Sequence, residues 1–268
     1  MTARIFCLAA IAALAACSPE PAATPANATP DYDAEAGRIA QSSIIVDTHI
    51  DVPYRLLNRP VDISEGTDTG DFDYPRAVAG GLNVPFMSIY TPAELEEKGE
   101  SKAAAEELID IVEQMAAEHP DKFAIATSVE DVRRQFDAGL VSLPMGMENG
   151  SPIDGNLSNL QHFYERGIRY VSLSHGSTNH LSDSSYDETR QWDGLSEFGA
   201  NVIREMNRLG IIIDISHVSD DEFFLIFELT KYKVKWSLSS ARHFTPGFER
   251  NVSDKMIVAI GEGGGVVQ

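Results

Sequence analysis

Cysteine is nearly absent: Cys7 and Cys17 are the two in 268 residues. Both fall within the first seventeen positions, so the rest of the chain can form no disulfide and offers no thiolate cluster to a metal. Any metal must be held by His, Asp and Glu. Basic residues are scarce as well, 21 against 41 acidic ones, for a net charge of −20. That balance argues against nucleic acid as a partner, because little would neutralise phosphates. Beyond the N-terminus no apolar run reaches the ~18 residues of a membrane-spanning helix. The Gly-rich phosphate loops of P-loop and Rossmann proteins are missing, as is the G-x-S-x-G elbow of serine hydrolases. What is present, 43% hydrophobic residues, is enough for a sizeable core.

The N-terminus carries its own signal. Residues 1–16 place Arg4 before an Ala/Leu/Ile-rich run too short to span a bilayer, the pattern of a secretory leader. The run ends Leu14-Ala15-Ala16-Cys17, which resembles the bacterial lipobox, with Cys17 as the lipidated first residue; the alternative is an ordinary signal peptide. Ser18 after that cysteine suggests the outer membrane if the cell is Gram-negative. The expectation is a protein of the cell envelope, lipid-anchored and facing the periplasm. Residues 17–35 read as a Pro/Ala-rich tether, leaving 36–268 as the folded domain.

Within that domain strand-like and helical runs alternate. Candidate strands are Ser43–Asp47, Leu82–Tyr90, Leu143–Met147, Arg169–Ser174, Ile211–Ser216 and a weaker Lys231–Leu238. Ser101 opens an Ala/Glu/Leu-rich helix that ends near His119-Pro120, and Ser128 caps Val129–Ala138 with Asp131 at the capping-box position. Phe198, Val202, Met206 and Leu209 share one helical face that stops at Gly210. Gly263-Gly264-Gly265 reads as a turn into a strand. Such alternation predicts an α/β fold with a parallel sheet or barrel.

Ionisable residues gather where the strands end. Ile44-Ile45-Val46-Asp47 runs into His49 and Asp51, which share a face because side chains two apart in a strand do. Taken alone, the pair reads equally as a capping aspartate beside a structural histidine. The pattern then recurs: Leu143–Met147 ends in Glu148, Arg169–Ser174 in His175, and Ile211–Ser216 in His217. In a parallel barrel those ends converge on one mouth, where active sites of that architecture lie. Four such endings point to a metal site built from imidazole and carboxylate. His119 and His162 read as surface residues, while His180 and His243 lie in polar loops.

These motifs resemble the membrane (renal-type) dipeptidase family, zinc metallopeptidases of the amidohydrolase group on a TIM-like (β/α)8 barrel. Asp47-Thr48-His49-Ile50-Asp51-Val52-Pro53 is similar to the first-strand motif, whose His and Asp hold one zinc. Gly146-Met147-Glu148-Asn149-Gly150 resembles the segment whose glutamate bridges two zincs, although a second glycine is commoner where Asn149 stands. Leu173-Ser174-His175 matches a substrate-contacting histidine. Asp214-Ile215-Ser216-His217-Val218-Ser219-Asp220 is the nearest match and supplies a ligand to the second zinc. Arg250-Asn251-Val252-Ser253-Asp254 resembles the segment whose arginine engages the substrate carboxylate.

The resemblance implies hydrolysis of dipeptides by a hydroxide held between two Zn2+ ions per subunit. Its ligands would be His49, Asp51, Glu148 and His217, with His175 donating toward the oxyanion, Arg250 fixing the substrate, and a possible homodimer as the assembly. Two departures stand out. A histidine ligand is implied where this sequence has Leu238, before Ser239-Ser240-Ala241-Arg242. The strand leading to it alternates Lys233 and Lys235 with Val234 and Trp236, which is unlike a barrel interior; a short frameshift and a genuine loss of ligand both fit. The resemblance also implies one more complete strand and a last one carrying an aspartate that accepts a proton from the attacking water, so the barrel is expected to be incomplete at its C-terminus. Two other readings remain open: an amidohydrolase of lactams, lactones or acylated amino acids, and a catalytically dead peptide-binding lipoprotein.

Overall fold

The computed structural model describes residues 31–230 and 232–268. The leader, Cys17 and residues 17–30 of the tether lie outside the described residues. A helix at Tyr32–Ser42 starts inside the segment read as tether, because the Asp31 side chain accepts the Ala34 N–H and caps it. Among the described residues no helix is long and apolar enough to cross a membrane.

The strands are β1 (Ile45–Ile50), β2 (Leu82–Tyr90), β3 (Phe123–Ile125), β4 (Val141–Leu143), β5 (Met145–Glu148), β6 (Ile168–Ser172), β7 (Ile212–Asp214), β8 (Val234–Trp236) and β9 (Val266–Val267). Seven of them form one parallel sheet in the order β1-β2-β5-β6-β7-β8-β9, while β3 pairs with β4 beside it. Neighbours in the main sheet follow chain order, so each crossover carries its helix over the outer face. The result is an incomplete TIM-like barrel. Among the described residues no ladder joins β9 back to β1.

Local chemistry explains the boundaries. The run 141–147 is apolar but for Ser142, yet Pro144 has no N–H to give, and the run divides there into β4 and β5. The Ser128 hydroxyl accepts the Asp131 N–H at 3.0 Å and starts the helix Val129–Asp137. The helix Glu197–Leu209 buries Val202, Ile203 and Met206, and Gly210 ends it with φ of 79°. The long helix Ser101–Glu118 buries Ala105, Leu108, Ile109 and Val112 against the outer face.

The segment Lys231–Leu238 corrects the expectation of an unsuitable strand. Val234, Lys235 and Trp236 form β8, are all buried, and pair in parallel with β7. Trp236 packs outward against Phe223. Lys235 turns inward and is tolerated because its Nζ lies 3.2 Å from Asp214 Oδ2 and donates to the Thr48 carbonyl at 3.1 Å. Such partners offset much of the cost of burying a cation.

Candidate metal centre

His49 and Asp51 share one stretch and Glu148, His175, His217 and Arg250 come from four others, and the fold brings all six to the same end of the sheet. Glu148, at the end of β5, is the hub. Its Oε2 lies 3.2 Å from His49 Nε2, and its Oε1 lies 3.1 Å from His217 Nε2 and 3.5 Å from His175 Nε2. The Ser88 hydroxyl, from β2, donates to Oε2 at 3.2 Å. Asp51 Oδ1 stands 3.3 Å from His49 Nε2. Although Asp51 occupies the N-cap position of the helix Val52–Asn58, its side chain caps nothing. Its carboxylate is therefore free to serve the histidine.

Two groups result, His49/Asp51/Glu148 and Glu148/His175/His217, each with one ligand atom per residue within 4.8 Å of the others. The spacing suits a metal. Bonds of about 2.0–2.1 Å in a tetrahedral shell leave neighbouring ligand atoms roughly 3.3 Å apart, and the contacts above run from 3.1 to 3.5 Å. His49 Nε2 is buried and makes no hydrogen bond although two carboxylate oxygens face it. A cation placed among them would satisfy the nitrogen and both oxygens.

The electrostatics follow from the same contacts. Burial opposes charging His49, but the Asp51 and Glu148 carboxylates outweigh it and hold the pKa up to about 9. Burial alone would raise Glu148; His217 and His49 hold it well below the usual carboxylate range. His175 moves the other way, down to about 4, through burial and then through the neighbouring His217. His217 is lowered by burial, with Glu148 partly compensating.

Backbone geometry places two of these groups. Asn149, directly after Glu148, has φ of 77°, a left-handed conformation that glycine adopts freely and asparagine tolerates. Its amide donates to the Thr91 carbonyl at 2.8 Å and accepts the Ser151 N–H at 3.2 Å, locking the turn. His217 itself has φ of 71°. A histidine held there is strained, and such strain is retained where the surroundings over-determine it.

Arg250 is buried, with Nη2 3.1 Å from His217 Nε2 and Nη1 donating to Ser239 at 3.3 Å. Leu238 is half-buried and carries no ligand atom. The resemblance gave His175 substrate contact and the oxyanion rather than a metal; its ring lies 4.2 Å from that of His217, centroid to centroid, within the second group. Tyr170 and Ser88 were missed altogether. Tyr170, fully buried on β6, puts its hydroxyl 2.8 Å from His49 Nδ1. Its ring fills the space over Gly146, where a Cβ would stand 1.9 Å from the ring. The glycine in Gly146-Met147-Glu148 was the available signal for a large neighbour. His162 pairs with Glu106 at 2.5 Å and His180 with Glu96 at 2.7 Å, away from the centre. Grooves of about 690 Å³ beside Leu56 and Met115, about 630 Å³ beside Ile212 and Phe227, and about 510 Å³ beside Val46 and Phe86 are also lined by other residues.

A parallel, barrel-like sheet whose strand ends join two imidazole–carboxylate groups through one glutamate has the architecture of metallohydrolase barrels. Comparison narrows the class. Residues 33–268 match the family model described as membrane dipeptidase, peptidase family M19, and the chain belongs to that family. It is 35% identical over 205 residues to dipeptidase aclJ of Aspergillus oryzae, covering 74% of this chain and 48% of that protein. It is 31% identical over 238 residues to the uncharacterized dipeptidase C3A11.10c of Schizosaccharomyces pombe, covering 83% and 58%. The chain thus spans about half the length of the curated relatives it matches. Among solved structures it superposes on the probable dipeptidase PvdM from Pseudomonas aeruginosa with a TM-score of 0.81 at 26% identity, covering 88% of this chain and 62% of that one. A metallo peptidase from Rhodobacter sphaeroides, solved with a phosphinate mimic of the dipeptide L-Ala-D-Ala, gives 0.75 at 25% identity, covering 84% and 72%.

Proposed function

We propose that this site hydrolyses dipeptides with two divalent ions, zinc in the first instance. The observation that carries the reading is the Glu148 carboxylate, which meets three imidazoles at 3.1 to 3.5 Å from one buried position. His49 and Asp51 would hold one ion, Glu148 would bridge, and His217 would hold the other. Bound there, the ions would lower the pKa of a water toward ~7 and polarise the scissile carbonyl.

The chain's own groups supply the rest. His175, neutral at ordinary pH, can donate a hydrogen bond to an oxygen that gains negative charge as the carbonyl is attacked. Arg250 offers a planar fork of donors for a substrate carboxylate, and a charged terminus within its reach favours short peptides. The mouth stays open to solvent on the Asp51 side, where that side chain is 62% exposed. A lipid on Cys17 would hold the domain at the periplasmic face of a membrane.

Leu238 favours a second reading, in which peptides bind but turn over slowly. With leucine there, the second ion keeps Glu148 and His217 and lacks the further nitrogen that the resemblance implies. One experiment separates these outcomes. Purified protein loaded with Zn2+ is expected to cleave dipeptides in a chelator-sensitive way, and Glu148→Gln to lose both bound metal and cleavage. Metal content and cleavage unchanged by Glu148→Gln would end the metallopeptidase reading, whereas bound metal without cleavage would select the second.

A further inference from the structure

Thr48 and His49 lie where the β1–β2 ladder is irregular, between the paired positions Asp47 and Ile50. Regular sheet bonds therefore do not hold the residue that carries the first imidazole. The contacts that do hold this part of β1 come largely from the opposite side of the unclosed sheet. Gln268 Oε1 accepts the Thr48 N–H at 3.1 Å, the Ser237 carbonyl accepts the Thr48 hydroxyl at 3.2 Å, and Lys235 Nζ donates to the Thr48 carbonyl at 3.1 Å.

Lys235 does more than close a gap. Its ammonium lies 3.2 Å from the centroid of the Tyr170 ring, a close cation–π contact. The Tyr170 hydroxyl meets His49 Nδ1 at 2.8 Å. With Nδ1–H donating to the phenol oxygen, the lone pair of His49 sits on Nε2, the atom that faces Asp51 and Glu148. Beneath, Asp214 balances the charge at 3.2 Å and is itself satisfied by the hydroxyls of Ser172 and Ser237 and the N–H of Ser216.

We propose that Lys235 is a positioning residue for His49, tying the end of β1 to β8 and seating the Tyr170 ring that aims His49 Nε2 at the first ligand group. An apolar residue would fill the volume without desolvating a charge; it would leave the Thr48 carbonyl and the tyrosine face without their cation. This inference rests on the metal reading of the site.

The test is Zn2+ titration of the full chain against a chromophoric chelator, with thermal unfolding of the metal-free proteins alongside. Asp214→Asn/Lys235→Met removes both charges together, and Tyr170→Phe removes one hydroxyl while leaving the ion pair in place. The metal-free variants are expected to unfold within about 5 °C of the parent. Their affinity for the first ion should fall about 10- to 100-fold, the usual cost of losing support behind a ligand. Parent-like affinity in both variants, where Glu148→Gln has lost binding, overturns the positioning role and leaves the metal site standing. If the parent binds Zn2+ no better than Glu148→Gln, the metal reading fails and this proposal falls with it.

Discussion

His49 and His217 approach the same carboxylate at nearly the same distance, 3.2 and 3.1 Å, but they are held differently. Behind His49 stand Tyr170 at Nδ1 and, through it, the Lys235–Asp214 pair. Behind His217 there is nothing equivalent: its Nδ1 is buried without a partner, and its backbone sits at φ of 71°. The other member of that group, His175, is 24% exposed against 5% for His49. One group is braced from beneath and the other is held at its face. Support behind a ligand fixes tautomer and aim, so the braced group should hold its ion more tightly.

The widest effect that would break this contrast comes from His49→Ala. It should remove the tighter ion and lower dipeptide turnover by about 10³-fold, the upper end of what one catalytic contact is worth. His217→Ala should cost less metal affinity, and calorimetric titration of the two variants would reverse the contrast if their order were the opposite. Next in size is Leu238→His, which returns a nitrogen donor to the turn after β8. The second ion should then bind about 10- to 100-fold more tightly with the first unchanged, read by the same titration.

The smallest effect is in pH. The His49 pKa near 9 means that a proton must leave before an ion can bind there. Affinity of the first ion should therefore climb about tenfold per pH unit from 7 toward 9 and then level off. His217 and His175 are shifted down, so the second ion should show no such slope over that range. The sign carries over to the metal-free fold. Stabilisation from charged His49 is complete below its unfolded value of 6.5 and fades as pH rises through about 9. Stabilisation from neutral His175 is present above 6.5 and fades as pH falls toward 4. Equal slopes for the two ions would erase the distinction.

Much of this centre was legible because strand ends are marked in the sequence itself. Apolar runs that stop at Glu148, His175 and His217 announce both a parallel sheet and the direction in which its polar groups point. β2 was read at its observed bounds, with Gly81 before it in a left-handed turn. What escaped was tertiary. The division at Pro144 was written in the sequence but overlooked within an apolar run. The role of Tyr170 was invisible because a tyrosine in a strand is ordinary until its ring is seen over Gly146. Lys235 misled for a related reason: alternating charge signals an exposed strand unless a carboxylate from another strand, here Asp214, waits inside. Asp51 could have been a helix cap by position, and only the geometry shows that it caps nothing.

Because Glu148 belongs to both groups, neither can fill without consequence for the other. With Oε2 engaged in the group of His49 and Asp51, the Glu148 carboxylate would be fixed in its plane and would keep Oε1 turned toward His217. The next ion would meet part of its shell ready made, while facing the repulsion of the charge beside it. Occupancy should accordingly proceed in sequence, and the ratio between the two steps would measure how far orientation outweighs repulsion.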